Sequence, residues 1–68
     1  MDQETFNLSI RKFLKMVGVN SQREMEQAVQ KALMDGKLQG DESVAVKCTL
    51  EIPVLGVRVP FDGEIRLK

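Results

Sequence analysis

Residues 44–67 read VAVKCTLEIPVLGVRVPFDGEIRL, in which apolar and polar residues alternate on both sides of the segment PVLG. A period of two is typical of β-strands that bury one face. The pattern predicts two strands, at about residues 44–52 and about 57–67, joined by a turn at residues 53–56. Their shared apolar face would comprise Val44, Val46, Cys48, Leu50, Ile52, Val57, Val59, Phe61, Gly63, Ile65 and Leu67.

A four-residue turn fixes how the two strands pair. It sets Glu51 opposite Arg58 and Lys47 opposite Asp62, so two pairs of opposite charge arise on the polar face, each worth roughly 0.2–1 kcal/mol. A shift of one residue would set the apolar face of one strand against the polar face of the other. On the apolar face, the same register pairs Ile52 with Val57, Leu50 with Val59 and Cys48 with Phe61.

The dipeptide Asp62-Gly63 offers a competing turn, because Asp-Gly is a strong signal for a two-residue hairpin loop. That hairpin would pair Phe61 with Glu64 and so mix the two faces. One long second strand keeps the faces separate, with Gly63 either within the strand or at a β-bulge. The long strand is the preferred interpretation, and the turn at Asp62-Gly63 stays the alternative.

Pro60 has no amide proton, and proline in a sheet is confined to edges and bulges. The outer edge of the second strand is therefore interrupted, whereas the first strand contains no proline. A two-stranded sheet is marginal alone, and a free strand edge is a site where another chain can add. One hypothesis is a symmetric dimer in which two first strands meet and form a four-stranded sheet. The alternative is a short, twisted edge that is simply solvated.

A first helix is predicted at about residues 3–17. Asp2 is a suitable N-cap, and Gly18 suits the left-handed residue that follows a helix end. Leu8 and Met16 fall outside the apolar stripe of this helix, either as the flanks of a wide buried stripe or as an exposed surface for a partner. The stripe itself comprises Phe6, Ile10, Phe13, Leu14 and Val17.

A second helix is predicted at about residues 21–35. Ser21 and Glu24 have the spacing of a capping box, and Gly36 would end the helix. Residues 18–20 are then too few for anything except a tight turn between two antiparallel helices. The apolar stripe of this helix comprises Met25, Ala28, Val29, Ala32 and Leu33.

The predicted fold class is α+β, with a two-helix hairpin followed by an antiparallel β-hairpin in a two-layer arrangement. Residues 1–68 would form a single domain in which the helical stripes pack on the apolar face of the strands. A chain of 68 residues buries only roughly 60% of the surface that its unfolded form exposes. Because small domains need a staple or a partner for stability, dimerisation would complete this fold.

The composition offers few residues for chemistry: the chain has no His, Trp or Tyr, and Cys48 is its one cysteine. Cys48 lies on the apolar face of the first strand and is predicted to be a buried structural thiol. The acidic pairs Asp41/Glu42 and Glu24/Glu26 fall in a loop and on a solvated helix face. No catalytic, cofactor-binding or metal-binding residue is therefore predicted, and the chain is not expected to be an enzyme.

Ten basic and ten acidic residues cancel, which removes the positive charge that favours binding to nucleic acid or an anionic membrane. Two helices and a strand pair have the layout of a winged helix-turn-helix, so a weak nucleic-acid-binding domain is the alternative function. No stretch is apolar enough to cross a membrane. With an acidic N-terminus, one thiol and no signal peptide, the protein is expected to be cytoplasmic.

Two segments, residues 5–15 (TFNLSIRKFLK) and residues 18–24 (GVNSQRE), are similar to a known family when taken with the closing DGEI at residues 62–65. The chain resembles a family of short uncharacterised bacterial proteins of unknown function. The resemblance implies a stand-alone bacterial domain, and it brings no activity, cofactor or site residue with it. The leading hypothesis is a small non-catalytic protein–protein interaction module that forms a homodimer, or binds another protein, through the edge of its first strand.

Overall fold

The computed structural model describes all residues from Met1 to Lys68, and the chain divides into two compact units, Met1–Lys37 and Leu38–Lys68. The first unit holds one helix and the second holds a two-stranded antiparallel sheet. The α+β class is therefore confirmed. The elements are helix α1 (Gln3–Met34), strand β1 (Ser43–Ile52), a 3₁₀ turn (Pro53–Leu55) and strand β2 (Val57–Arg66).

Helix α1 begins where the sequence predicts, because Asp2 caps it. One carboxylate oxygen of Asp2 accepts from the main-chain amides of Glu4 at 3.0 Å and Thr5 at 3.4 Å. The other accepts from the Thr5 hydroxyl at 2.9 Å. These bonds favour the charged carboxylate and lower the pKa of Asp2, with the hydroxyl bond the largest cause. Two of the amides that a helix start leaves unpaired are thereby satisfied.

The end of α1 is a Schellman motif centred on Gly36, which has a φ of 77°. The amide of Gly36 donates to the carbonyl of Leu33 at 3.2 Å, and the amide of Lys37 donates to the carbonyl of Ala32 at 2.8 Å. Asp35, the C-cap, forms an exposed ion pair with Lys31 at 2.7 Å. The predicted stop at Gly36 is confirmed, with the last helical residue at Met34.

The predicted two-helix hairpin is wrong, because α1 runs without interruption through Gly18, Val19 and Asn20. Gly18 is not among the glycines with positive φ, so it does not form the left-handed turn that the sequence suggested. A glycine inside a helix costs only about 1 kcal/mol, whereas a break creates two new helix ends with unpaired amides and carbonyls. The spacing of Ser21 and Glu24 has no function as a capping box, because amides inside a helix already have partners.

The winged helix-turn-helix layout is wrong for the same reason, since it requires a turn between two helices. Continuity of α1 instead joins the two predicted apolar stripes into one. Val17, Ser21, Met25 and Val29 follow one another at steps of four residues, and all four are half-buried along the helix. Ser21, the predicted N-cap of a second helix, therefore lies in the middle of the joined stripe.

The strand pair has the predicted register. Glu51 lies opposite Arg58 and Lys47 lies opposite Asp62. The turn is a 3₁₀ turn that ends at Gly56, which has a φ of 65° and donates its amide to the carbonyl of Pro53 at 3.1 Å. The apolar pairs Ile52–Val57, Leu50–Val59 and Cys48–Phe61 are also present.

Asp62 and Gly63 form neither a turn nor a bulge, because β2 continues through both residues and the pairing stays in step on either side. Gly63 lies opposite Val46, within the strand. The long second strand is thus confirmed, and the competing hairpin at Asp62-Gly63 is wrong. The two-layer arrangement and the single domain at residues 1–68 stay predictions.

The connection between α1 and β1 is held by one carboxylate. Glu42 accepts from the amides of Gln39 at 2.8 Å, Gly40 at 3.0 Å and Asp41 at 3.2 Å. The bonds from Gln39 and Gly40 are the main reason why the pKa of Glu42 is lowered. The side chain thus closes the turn that leads into the first strand.

Candidate interaction surface

Neither unit buries any of its own residues. In α1, the side chains of Phe6 and Phe13 are 43% and 47% exposed. In the hairpin, Phe61 is 58% exposed and Val54, at the tip of the turn, is 90% exposed. Exposed apolar residues are normal when scattered, but here they include four of the five residues of the predicted first-helix stripe and two residues of the predicted strand face, Val59 and Phe61.

The hydrogen bonds of the strand pair determine which residues form the free edge of β1. The amide of Leu67 donates to the carbonyl of Glu42 at 3.0 Å, which makes these two residues a hydrogen-bonded pair in line with the ladder. Such pairs alternate along antiparallel strands with pairs that are not hydrogen-bonded. The even-numbered residues of β1 therefore bond to β2. The odd-numbered residues, Ser43, Ala45, Lys47, Thr49 and Glu51, direct their amides and carbonyls away from β2.

The outer edge of β2 is different because it contains Pro60. Pro60 lies opposite Thr49, in a pair that is not hydrogen-bonded, so its nitrogen faces outward and the missing proton costs the hairpin nothing. The outer edge of β2 therefore lacks a donor at its centre. The edge of β1 has a donor at every outward position, Thr49 included, and is the one that can accept another strand.

The side chains beside the free edge belong to the polar face of the hairpin. Glu51 and Arg58 form an exposed ion pair, with Arg58 Nε and Glu51 Oε1 3.9 Å apart. Lys47 lies opposite Asp62, four residues before Glu51 in the same strand. The edge strand thus carries one positive and one negative side chain on one face, with Thr49 between them.

Cys48 lies on the apolar face, opposite Phe61, as the alternation indicates, but its thiol is exposed. The prediction of a buried structural thiol is therefore wrong. Cys48 and its partner Phe61 are both exposed, because two strands alone provide too few neighbours to cover the side chains of one face. Leu8 and Met16 are likewise exposed, at 54% and 50%, which excludes the buried-flank interpretation in this chain.

The structure brings together no group of three or more His, Cys, Asp or Glu side chains that could hold a metal ion. In the acidic pair Asp41/Glu42, the Glu42 carboxylate accepts hydrogen bonds from the amides of its own loop. The sequence analysis named no catalytic, cofactor-binding or metal-binding residue, and that point stays a prediction. What it missed is which residues face the free edge. The four-residue turn together with Pro60 contains that information, because proline tolerates only the outward-facing positions.

Comparison with protein-family models gives a match over residues 1–68 to a family of unknown function, DUF6494. The chain belongs to this family. The match confirms the resemblance to a short uncharacterised family, and the DUF6494 description assigns no activity to its members. Searches among curated proteins and among solved structures give no match. No helix of this DUF6494 protein is both long enough and apolar enough to cross a membrane.

Proposed function

We propose that this protein is a non-catalytic interaction module that self-associates through the free edge of β1. The observation that carries the proposal is the contrast between the two edges of the hairpin. Pro60 removes a donor from the centre of the β2 edge, while Thr49, directly across the strand pair, keeps its amide and carbonyl facing outward on the β1 edge. One edge is closed to strand addition and the other is open.

The lack of buried residues supports association of some kind. Folding a chain costs roughly 1–2 kcal/mol of backbone entropy per residue, and burial of apolar surface is the main term that offsets it. Here Phe6, Phe13 and Phe61 all stay more than two-fifths exposed. A second copy is the simplest partner, because pairing two β1 edges yields a four-stranded sheet in which neither β1 edge stays unpaired.

Two further parts of the proposal, the non-catalytic role and the cytoplasmic location, rest on composition. A chain without His and with one cysteine has few groups for general acid–base or nucleophilic chemistry, which favours a binding role over catalysis. A single thiol that needs no oxidising environment is consistent with a cytoplasmic location.

The first experiment is the solution mass by light scattering at two protein concentrations tenfold apart. We expect a dimer at the higher concentration. A strict monomer at both concentrations would overturn self-association, and the β1 edge would then be tested against other proteins.

The second experiment places a proline on each edge. Thr49→Pro removes the outward donor of β1, and we expect it to abolish the dimer while the hairpin ladder stays intact, because position 49 does not bond to β2. Glu64→Pro is the matched control, since it places proline at an outward position of β2, opposite Ala45, and it should leave the dimer intact. Circular dichroism checks that both variants are folded. Equal loss of the dimer in both variants would exclude the β1 edge as the contact.

A further inference from the structure

The polar face of β1 is complementary in charge to a second copy of itself. Successive residues of a strand point to opposite faces, so Lys47, Thr49 and Glu51 share one face and are evenly spaced. Lys47 and Glu51 lie at equal distances on either side of Thr49 and carry opposite charges. An antiparallel copy rotated about Thr49 therefore presents a negative group to each positive one.

We infer that two copies pair antiparallel through their β1 edges, with the two-fold axis passing through Thr49. This register rests on the self-association proposed above and adds the identity of the contacts. Lys47 of each copy lies opposite Glu51 of the second copy, and the two Thr49 residues face each other. Opposite charges and threonine pairs are both favourable directly across an antiparallel ladder.

The charges of β2 extend this match across the whole sheet. Within one chain, Lys47 lies opposite Asp62 and Glu51 lies opposite Arg58. In the four-stranded sheet the row therefore reads Asp62, Lys47, then Glu51 and Arg58 of the second copy, with signs that alternate from strand to strand. The two-fold axis generates the same row a second time. No charged side chain in either row has a neighbour of its own sign.

Other registers that use the same outward amides lack this match. An axis at Lys47 or at Glu51 sets that residue against its own copy, which opposes like charges. An axis at Cys48 sets Lys47 against Thr49, and an axis at Leu50 sets Glu51 against Thr49. Only the axis at Thr49 uses both charged residues of the edge in directly opposed pairs.

The ends of the sheet also suit this register. The paired segment runs from Val46 to Ile52 in each copy, and Ala45 then faces Pro53 of the second copy, whose missing amide proton ends the ladder. The outermost strands are the two β2 strands, each with Pro60 on its free edge. Growth beyond two copies is blocked, so the assembly is a closed dimer and not a fibre.

Charge reversal tests the register. Lys47→Glu alone sets two glutamates against each other at both symmetry-related positions, and Glu51→Lys alone sets two lysines against each other. We expect each variant to weaken the dimer by about tenfold or more. An equimolar mixture should form a heterodimer, because the two substituted side chains then face each other with opposite charges, as do the two unsubstituted ones. Light scattering and native mass spectrometry, with one variant isotope-labelled, measure both effects.

Each substitution also creates a pair of like charges within its own hairpin. Because that pair is present whether a variant is alone or mixed, recovery of the dimer in the mixture reports only on the contacts between the two copies. Lys37→Glu, which changes the net charge by the same amount as Lys47→Glu but lies outside the strands, is the matched control and should leave the dimer unchanged. A wild-type dimer whose affinity ignores both reversals would overturn the register and leave self-association standing. A wild-type monomer would overturn the proposed function itself.

Cross-linking distinguishes the two-fold axis at Thr49 from an axis at Cys48. With the axis at Thr49, Thr49→Cys in a Cys48→Ala background brings two thiols face to face at a Cα separation of about 5.5 Å, within the range of a disulfide. We expect mild oxidation to give a cross-linked dimer of this variant, while wild-type Cys48, which faces Leu50 of the second copy, cross-links much less. The reverse result would move the axis to Cys48 and overturn the proposal.

Discussion

Gly63 lies directly opposite Val46 in the strand pair, and a Cβ added to Gly63 would stand 3.6 Å from Val46 Cγ1. That distance is an ordinary van der Waals contact, and the φ of Gly63 is not positive. Nothing in the structure therefore requires glycine at this position. The residue that would suit a tight turn with Asp62 is used as a strand residue.

We expect Gly63→Ala to raise the free energy of unfolding by roughly 0.5–1 kcal/mol, because glycine loses more backbone entropy than alanine when it is fixed in a strand. Urea unfolding followed by circular dichroism measures the change. Gly56→Ala is the control: Gly56 has a φ of 65°, so the same substitution there should destabilise the hairpin. A destabilising effect of Gly63→Ala would point back to the Asp62-Gly63 turn.

Gly18 provides the corresponding test of the continuous helix. A Cβ at Gly18 meets nothing within 4 Å, and the residue lies within α1. Gly18→Ala should therefore stabilise the protein by about 0.5–1 kcal/mol and increase its helical signal. A left-handed turn between two helices would give the opposite sign. Thermal unfolding followed by circular dichroism in the helix band distinguishes the two.

Gly36 is the matched contrast within the same helix. Its φ of 77° is needed for the Schellman motif, in which Lys37 bonds to the carbonyl of Ala32. We expect Gly36→Ala to destabilise the helix end by roughly 1 kcal/mol, since an L-residue in this conformation is strained. Equal effects of the two substitutions would contradict the difference in backbone conformation.

The strand register and the continuous helix at Gly18 show how much of the fold the sequence could predict. The strand register follows from local rules, since the period of two, the turn length and the charge pairs all agree. The break at Gly18 does not, because glycine is tolerated inside a helix at small cost, so its presence indicates a stop only when a second helix gains burial from turning back. Gly18 and Ser21 alone show neither the burial that a second helix would gain nor the cost of two extra helix ends.

The candidate site was predictable only in part. Proline at position 60 indicates a closed edge, and the structure adds that Thr49 faces outward from the other edge. Exposure was not predictable, because an alternating pattern shows which face is apolar without showing what covers it. Cys48 is the clearest case: its face was correct and its burial was wrong.

Two carboxylates, Asp2 at the start of α1 and Glu42 in the turn before β1, make the stability depend on pH. Hydrogen bonds lower the pKa of Asp2 below its ordinary value of 3.8 and that of Glu42 below 4.5. A carboxyl with a lowered folded-state pKa contributes stability that is fully present above the unfolded value and is lost as the pH falls through the folded value. We therefore expect the melting temperature to be level above about pH 5.5 and to fall through pH 4 and below.

Substitution separates the two contributions. Glu42→Gln should flatten part of this decline, because the amide does not titrate, and should lower the stability at neutral pH, because a neutral oxygen accepts more weakly from Gln39 and Gly40. Asp2→Asn keeps a good N-cap and should change mainly the pH dependence. Melting temperatures measured by circular dichroism from about pH 3 to about pH 7 provide the comparison. An unchanged decline in both variants would assign the acid sensitivity to other carboxyl groups.

Self-association predicts that the stability depends on protein concentration. A dimer that dissociates on unfolding gains stability by mass action, so a tenfold rise in concentration contributes about 1.4 kcal/mol per dimer and raises the melting temperature by about 5 °C. The same series with Thr49→Pro should show no such rise, because that variant lacks the central donor of the β1 edge. A melting temperature of the wild type that is independent of concentration would mean that no second copy binds the folded chain, and it would overturn self-association.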